Sequence, residues 1–343
     1  MSESKNILIF GGTGSLGKTL IKRFMADNKV YAYSRDEAKH WTIRNELSTV
    51  EGFKNVNFIV GDIRDKQRVT QALHQTDADI VIVAAALKQV DTCELSPRES
   101  VLTNLQGTQN VVESVYELEK LTGKTRTLLF VSTDKACSPI NVYGMCKAVS
   151  ERLVTSMSFD TQTKSRYIGV RYGNVLESRG SIIPLFKYQS ENLPHLTVTD
   201  PEMTRFVMTL DESVNLIVSA INGAESGQIF VPRLPSMRIG DLAEIFSKRS
   251  GKPIKVVGLR PGEKMHEALI NASESVRCTI KDEVIAISSS LTPGDEKAFE
   301  YTSADDVMTA EQLEDKLMKL GILDMGLEKF EGRTIEEIDG AKQ

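Results

Sequence analysis

The chain has 343 residues, of which 41% are apolar and 26% are charged, and its formal net charge at pH 7 is −5. That length allows a full hydrophobic core and a second lobe, while the acidic balance excludes a typical nucleic-acid-binding protein, which carries a basic domain or stripe. The N-terminus shows no apolar signal core and the longest apolar run, Ile80 to Leu87, is too short to cross a bilayer, so we expect a cytoplasmic protein with no membrane partner.

Apolar runs of strand length alternate along the chain with amphipathic segments of helical length. The runs are Ile7 to Phe10, Val30 to Tyr33, Val56 to Val60, Ile80 to Ala85, Leu128 to Val131, Tyr167 to Val170 and Ile229 to Val231. This alternation predicts an α/β fold with a Rossmann-type, doubly wound parallel sheet. Near the end, Thr309 to Leu320 has the pattern of one amphipathic helix.

Segments punctuated by proline and arginine interrupt this alternation in the second half of the chain. We interpret them as a smaller C-terminal substrate-binding lobe made of residues 178–205 and 232–290. The predicted NAD(P)-binding Rossmann domain then comprises residues 1–177, with 206–231 returning to it. Residues 291–343 are predicted to form a C-terminal helix and tail.

A glycine-rich turn follows the first predicted strand. Glycines at positions 11, 14 and 17 allow a tight turn and a close approach to a pyrophosphate, which the following helix N-terminus stabilises. Three glycines alone are weak evidence, because such a turn can simply pack a helix on a strand, but the βαβ context favours dinucleotide binding. The predicted cofactor contacts in this turn are Gly11, Thr13, Gly14, Ser15, Leu16 and Gly17.

The end of the second strand bears on the choice between the two nicotinamide cofactors. Ser34 and Arg35 favour NADP, because they can hold a 2′-phosphate, whereas Asp36 keeps NAD open as an alternative. Asp62 and Ile63, after the third strand, are placed to meet the adenine. Ala84, Ala85 and Ala86 form a turn of small residues that we expect beneath the cofactor.

Four polar side chains with acid–base chemistry follow the fifth strand within a short stretch. Asp134 and Lys135 emerge at the carboxyl end of that strand, where open α/β sheets bind ligands. Tyr143 and Lys147 are four residues apart, which places them on one face of a helix. An acid, an amine and a phenol–lysine pair are the groups that an elimination requires in addition to a redox step, so this stretch is the predicted catalytic centre.

The cysteines give no sign of a metal site or a disulfide framework. Cys93, Cys137, Cys146 and Cys278 lack paired metal-ligand spacing and are few for a disulfide-rich scaffold. Cys137 and Cys146 flank the predicted catalytic residues, and we interpret both as packing residues.

Together these motifs resemble those of the extended short-chain dehydrogenases/reductases, and within them the soluble UDP-N-acetylglucosamine 4,6-dehydratases. Beyond the glycine turn, the resemblance extends over most of the chain, to about Glu267. The segments that carry it are Tyr33 to Glu37, Gly61 to Asp65, Ala84 to Lys88, Ser132 to Ala136, Tyr143 with Lys147, Arg171 to Val175, Ser178 to Ser181, Met203 to Phe206 and Arg260 to Lys264.

The resemblance implies a tightly bound, recycled nicotinamide cofactor and a catalytic role for five residues. Tyr143 would accept the C4 hydroxyl proton, with Lys147 supporting it, and both would contact the cofactor. Lys135 would remove the C5 proton, Asp134 would protonate the departing C6 hydroxyl, and Thr133 would bind O4.

The substrate implied by the resemblance is UDP-N-acetylglucosamine or a similar UDP-sugar, and the implied assembly is a homo-oligomer. Val175 and Arg179 would pass beside the nicotinamide. The implied substrate contacts are Lys88, Asn174, Thr199, Arg205, Arg260 and Glu263.

Departures from the family pattern leave one point and two alternatives open. Met145-Cys146, Lys88 to Asp91 and Glu177 differ from the usual residues, so the configuration of the product at C5 stays undecided. A UDP-hexose 4-epimerase or a reductase would share the glycine turn, Tyr143 and Lys147, but would not require Asp134 and Lys135. A non-catalytic cofactor-sensing protein on the same fold is the second alternative, since a fold alone does not determine function.

Overall fold

The structure is a computed structural model that describes residues 4–176, 181–281, 283–289, 297–324 and 326. The chain divides into two compact units. The first lies within Met1–Tyr172, Asp211–Arg233 and Ile270–Glu300, and the second within Gly173–Leu210, Leu234–Leu269 and Tyr301–Gln343.

The strands occur where apolar, β-branched runs allow backbone pairing with buried side chains. In chain order they are β1 (Asn6–Phe10), β2 (Lys29–Ser34), β3 (Val56–Val60), β4 (Ile80–Val83), β5 (Thr127–Val131), β6 (Arg166–Val170), β7 (Asn174–Val175), β8 (Leu196–Val198), β9 (Thr204–Met208), β10 (Ile229–Pro232), β11 (Ser236–Arg238), β12 (Ile254–Val256), β13 (Ala268–Ile270), β14 (Cys278–Ile280), β15 (Val284–Ile287) and β16 (Tyr301–Thr302).

The helices connect these strands, and several begin at a polar cap such as Asp36, Asp65, Asn141 or Thr309. They are α1 (Ser15–Phe24), α2 (Glu37–Leu47), α3 (Lys66–Thr76), α4 (Val90–Leu95), α5 (Pro97–Ser100), α6 (Gly107–Thr122), α7 (Val142–Ser156), α8 (Ile182–Asn192), α9 (Leu210–Gly223), α10 (Ile239–Ser250), α11 (Ala272–Ser275) and α12 (Ala310–Lys319). A π-helical segment, Val101–Gln106, leads into α6.

The first unit is built on a nine-stranded sheet, counted over the described residues, with the order β14-β15-β10-β6-β5-β4-β1-β2-β3. The strands from β10 to β3 in this order are parallel to their neighbours, whereas β15 and β14 are antiparallel. Strand order reverses at β1, which lies between β2 and β4. The predicted doubly wound parallel sheet is therefore confirmed, and its switch point is where such folds bind ligands.

Both faces of this sheet are covered. Leu8 and Phe10 pack in one core cluster with side chains of α3 and α6, and the alternate residues Ile7 and Ile9 are also fully buried. Because successive strand residues point to opposite faces, burial of both sets explains why the strands are continuous apolar runs rather than alternating ones.

The second unit has its own apolar core, formed by α8, α10, α12 and short strands. It contains the sheet β11-β9-β7 and the pair β12-β8. The predicted C-terminal helix is present as α12, whose first turn is closed by a capping box between Thr309 and Gln312.

The unit boundaries differ from the predicted ones, and strand pairing shows this most clearly at two places. The segments Cys278–Ile280 and Val284–Ile287, which the prediction put in the smaller lobe, form β14 and β15 and extend the large sheet through pairing with β10. Residues 206–208, which the prediction returned to the Rossmann domain, belong to β9 and pair with β7 and β11 in the second unit. In both cases backbone pairing decides the assignment, and a local apolar pattern does not show which edge a short strand will join.

Across the described part of the chain, we find no helix that combines the length and apolar character needed to cross a membrane.

Candidate active site

The glycine turn between β1 and α1 is shaped by three glycines that leave no room for a side chain. Gly11 has a φ of +88°, and a Cβ there would lie 2.7 Å from the Ala85 nitrogen. A Cβ at Gly17 would lie 2.6 Å from the Gly12 carbonyl carbon, and one at Gly12 would lie 2.7 Å from the Ala32 Cβ. The turn is therefore packed against β2 and the segment after β4, and Gly12 was not among the predicted cofactor contacts.

This turn fits a pyrophosphate. The first amides of α1, at Ser15 and Leu16, have no acceptor within the helix by virtue of their position, and Gly14 at the N-cap is exposed and supplies no capping side chain. Thr13 beside it is 7% exposed. The residues present would therefore hold the diphosphate of a dinucleotide with backbone N–H groups.

At the end of β2, the side chains of Ser34, Arg35 and Asp36 make different contacts. The Asp36 carboxylate caps α2 by accepting from the Lys39 backbone N–H at 3.0 Å, and it forms an ion pair with Lys39 Nζ at 3.0 Å. That backbone hydrogen bond is the main reason why the pKa of Asp36 lies below its usual range. Ser34 Oγ lies 2.8 Å from His40 Nε2, and the Arg35 side chain is 54% exposed.

The loop after β3 is held from two sides. Asn110 on α6 donates to the carbonyls of Ile63 and Arg64, both at 3.0 Å. The Arg64 guanidinium donates to Asp62 Oδ2 at 2.7 and 3.0 Å. Burial opposes ionisation of Asp62, but the hydrogen bonds from Arg64 outweigh it, so the pKa of this carboxyl is lowered.

The segment after β4 is positioned by Asn104, a residue that the sequence analysis missed. Asn104 is fully buried in the π-helical segment, and its carboxamide accepts from the Leu87 N–H and donates to the Leu87 carbonyl, each at 2.8 Å. These bonds hold the end of the Ala84–Ala86 turn, with the exposed Lys88 next in the chain.

The loop Ser132 to Cys137, which carries three of the predicted catalytic residues and is called the catalytic loop below, begins directly after β5. Asp134 is 1% exposed, and its Oδ1 accepts from Thr133 Oγ1 at 2.9 Å and from Lys135 Nζ at 3.2 Å. The loop thus presents a hydroxyl, a carboxylate and an amine as one connected group.

Tyr143 and Lys147 lie on α7 and are both buried. Burial raises the pKa of Tyr143 to about 12, while the Lys135 charge and a hydrogen bond with Thr133 act in the opposite direction. Burial also lowers the pKa of Lys147 to about 8, and its Nζ donates to the Val131 carbonyl at 2.8 Å. Thr133 therefore lies beside the phenol of Tyr143 as well as donating to Asp134.

A glycine allows α7 to lie directly against the catalytic loop. A Cβ at Gly144 would collide with the Lys135 carbonyl oxygen and lie 3.0 Å from the Lys135 carbonyl carbon. Asn141 caps the helix by accepting from the Gly144 N–H at 2.8 Å. The structure thus brings together all five predicted catalytic residues, and Gly144 is a contributor that the sequence analysis did not identify.

Four predicted substrate-binding residues lie near one turn of the second unit. The Thr199 carbonyl accepts from the Gly258 N–H at 3.0 Å, close to the turn in which the Arg260 N–H bonds Glu263 Oε2 at 3.2 Å. Arg205 Nη1 donates to the Met265 carbonyl at 3.2 Å, just beyond that turn.

Asn174 and Val175 form β7, which pairs with β9 in the same unit. Asn174 Oδ1 is buried and finds no hydrogen-bond partner among the described residues, which leaves it available to a ligand. The predicted cofactor contact Arg179 lies outside the described residues.

Sequence comparison identifies one matching family and several similar enzymes. Residues 7–289 match the family described as "Polysaccharide biosynthesis protein". A UDP-N-acetylglucosamine 4,6-dehydratase (inverting) of Campylobacter jejuni subsp. jejuni serotype O:2 is 40% identical over 280 residues, 80% of each chain. A UDP-glucose 4-epimerase of Rickettsia prowazekii is 37% identical over 288 residues, 81% of each chain.

Among solved structures, the X-ray structure of Pen from Bacillus thuringiensis has a TM-score of 0.86 and 34% identity, and the match covers 94% of this chain and 99% of that one. A dTDP-glucose 4,6-dehydratase, DesIV from Streptomyces venezuelae with NAD bound, has a TM-score of 0.65 at 20% identity, over 76% of this chain and 86% of that one, and shares the fold. The resemblance inferred from the motifs is confirmed. The chain belongs to the polysaccharide biosynthesis protein family and, among the extended short-chain dehydrogenases/reductases, to the family of the UDP-N-acetylglucosamine 4,6-dehydratases.

Proposed function

We propose that this protein is a UDP-N-acetylglucosamine 4,6-dehydratase. It oxidises the sugar at C4, eliminates water across C5 and C6, and yields a UDP-2-acetamido-2,6-dideoxy-4-hexulose. The observation that carries this proposal is the Asp134–Lys135 pair, joined at 3.2 Å on the loop that packs against the helix carrying Tyr143. A 4-epimerase or a simple reductase has no step that requires a second acid and base.

Water can leave C6 only after a ketone at C4 has made the C5 proton acidic, so oxidation comes first. The buried amine of Lys147 stabilises the phenolate form of Tyr143, which accepts the proton of the C4 hydroxyl and becomes a neutral phenol. When bound, the nicotinamide supplies the hydride acceptor for C4 and the hydride donor for C6.

The elimination needs a neutral amine and a protonated acid at the same time. Transfer of one proton from Lys135 to Asp134 along their hydrogen bond produces both, and burial of Asp134 favours this uncharged pair. Lys135 then removes the C5 proton while Asp134 protonates the departing C6 hydroxyl. When hydride returns to C6, C5 regains a proton, and the face that receives this proton sets the configuration at C5. Thr133, which donates to Asp134 in the free protein, turns its hydroxyl to O4 when the sugar binds.

We propose NADP as the cofactor. The Asp36 carboxylate, which would otherwise accept ribose hydroxyls, caps α2 and pairs with Lys39, whereas Arg35 is 54% exposed and pairs with Asp62 at 3.7 Å, a weak surface contact that a 2′-phosphate can replace. Arg35→Ala should weaken NADP binding by about 10- to 100-fold, since a charged hydrogen bond contributes about 1.5–3 kcal/mol. NAD affinity should stay unchanged, and calorimetric titration with both nucleotides measures the difference; equal losses for both would contradict the assignment.

We infer that the second unit binds the UDP moiety through Asn174, Thr199, Arg205, Arg260 and Glu263, and that Lys88 contacts the sugar.

A homo-oligomer is proposed because Val101, Met145 and Val149 expose large apolar side chains around α7, each 41–49% exposed. A cytoplasmic location is proposed because the four cysteines are free and buried, as in a reducing compartment.

The test is incubation of the purified protein with UDP-N-acetylglucosamine and a catalytic amount of NADP. We expect a product lighter by one molecule of water, without net formation of reduced nucleotide. The competing function is suggested by the name of the Rickettsia relative, a UDP-glucose 4-epimerase. An isomer of unchanged mass would favour that function and contradict the proposal.

A further inference from the structure

Three buried charged side chains close to the catalytic loop take no part in the steps above. Arg171 follows β6, is 1% exposed, and lies between Glu151 on α7 and Glu274 on α11. Its guanidinium donates to both Glu151 oxygens at 2.6 and 2.9 Å, and to both Glu274 oxygens at 2.8 Å. We call Glu151, Arg171 and Glu274 the Arg171 cluster.

Stability alone does not explain this cluster. Removing three charges from water is costly, and apolar side chains of similar volume often serve a core as well or better. A charged cluster does, however, impose directional contacts on the segments that it joins. The segments that the Arg171 cluster joins therefore indicate its role.

The catalytic loop is bonded at one end to the backbone on either side of Arg171 and at the other end to Glu274. The carbonyls of Val170 and Tyr172, which flank Arg171, accept from the N–H groups of Ser132 at 2.8 Å and Asp134 at 3.0 Å. At the other end, the Cys137 thiol donates to Glu274 Oε2 at 3.6 Å. The first end depends on the backbone at Arg171 and the second on the Glu274 carboxylate.

The cluster is attached to α7 as well. Glu151 lies one turn after Lys147 and two turns after Tyr143 on that helix. The same three side chains therefore hold the loop that carries Asp134 and Lys135 and the helix that carries the phenol.

We propose that Glu151, Arg171 and Glu274 are positioning residues that keep the catalytic loop in register with α7. On the proposed dehydratase function, which this inference rests on, the register decides whether Asp134 and Lys135 reach C5 and C6 while Tyr143 holds O4. Displacements of about 1 Å can cost about 100-fold in rate. The step that suffers most is the elimination, because its acid and base both lie on the loop, whereas Tyr143 and Lys147, which carry out the oxidation at C4, lie on α7.

The test uses Glu274→Gln, which keeps the side-chain volume and leaves the Arg171–Glu151 contacts in place. In a single turnover with bound NADP, we expect reduced nicotinamide to accumulate, because oxidation proceeds while elimination slows by about 10- to 100-fold. NADP affinity should match that of the wild type. Cys137→Ala should change the kinetics in the same direction, whereas Cys137→Ser, which keeps a donor to Glu274, should behave like the wild type.

The matched control is Glu119→Gln. Glu119 is a buried carboxylate on α6, away from the catalytic loop, that accepts from the Lys164 N–H at 2.7 Å. Its replacement should lower thermal stability without accumulation of reduced nicotinamide. If Glu274→Gln and Cys137→Ala turn over like the wild type, or lose oxidation and elimination in parallel, the positioning role is wrong; if the wild type forms no dehydrated product, the proposed function itself fails.

Discussion

At the scale of single residues, the Asp134–Lys135 hydrogen bond is the feature that distinguishes this site from one built on Tyr143 and Lys147 alone. Adjacent charged residues on a loop are ordinarily solvated and weakly coupled. Here the carboxylate is 1% exposed and the lysine side chain 21%, so water screens their interaction less than it would on a surface loop. The pair therefore has the surroundings needed for proton transfer between its members.

Asp134→Asn and Lys135→Ala should each abolish formation of the dehydrated product. The amide cannot donate an acidic proton and alanine cannot remove one, and loss of a general acid or base costs about 100- to 10,000-fold in rate. NADP binding should persist in both variants, because neither residue belongs to the glycine turn. Product formation is followed by mass spectrometry and binding by calorimetry; wild-type turnover in both variants would exclude the assigned roles.

Lys147 should make the stability of the cofactor-free protein depend on pH. Burial lowers its pKa to about 8 from 10.5, so between these values the unfolded chain binds more protons at this group than the folded chain does. Its contribution to the free energy of unfolding therefore rises with pH in that window, by at most about 1.4 kcal/mol per unit.

The measurement is denaturant unfolding of the wild type and of Lys147→Met at several pH values. The methionine variant should gain most over the wild type below the pKa, where the buried ammonium is charged, and this difference should shrink as pH rises above about 8. A difference between the two proteins that is constant across the window would contradict the pKa shift.

The grouping of the five predicted catalytic residues could be inferred from the sequence because they lie close together in it, within Thr133 to Lys147. The Arg171 cluster could not, because Arg171 and Glu274 are separated by 103 positions and nothing local marks their contact. Asn104 was missed for a related reason: its role depends on a carboxamide reaching Leu87, 17 residues away. Long-range side-chain contacts leave no periodic signal in one sequence.

At the scale of elements, the close approach of α7 to the catalytic loop determines the site. Gly144 permits that approach because its missing side chain leaves space for the Lys135 carbonyl. The strands of the parallel sheet were predictable from long apolar runs, whereas β14 and β15 were not assigned to the sheet, because strands of three and four residues carry little pattern.

Gly144→Ala should push α7 away from the loop. We expect a loss of about 1–3 kcal/mol in the free energy of unfolding, as for other overpacked sites, together with lower turnover. Gly223→Ala is the control, because Gly223 ends α9 and a Cβ there would meet nothing within 4 Å. The measurements are denaturant unfolding and steady-state kinetics of both variants. Equal effects of the two substitutions would show that the contact between position 144 and the Lys135 carbonyl is not the cause.

At the scale of the whole molecule, the two units carry different parts of the proposed reaction. The first unit holds the glycine turn, the catalytic loop and α7, and the second holds the residues assigned to UDP. This division was partly visible in the sequence, because proline- and arginine-rich segments interrupt the strand–helix alternation. Its exact boundaries depend on which strands pair, which only the folded backbone decides.

The central claim is that hydride leaves C4 of the sugar and returns to C6 within one active site. UDP-N-acetylglucosamine carrying deuterium at C4, incubated with the wild-type protein and NADP, tests it by proton and deuterium NMR of the product. We expect deuterium in the new C6 methyl group of a product that carries a ketone at C4. If the sugar keeps its C6 hydroxyl and its deuterium at C4, or if the deuterium is lost to the solvent, the proposed transfer of hydride from C4 to C6 is wrong.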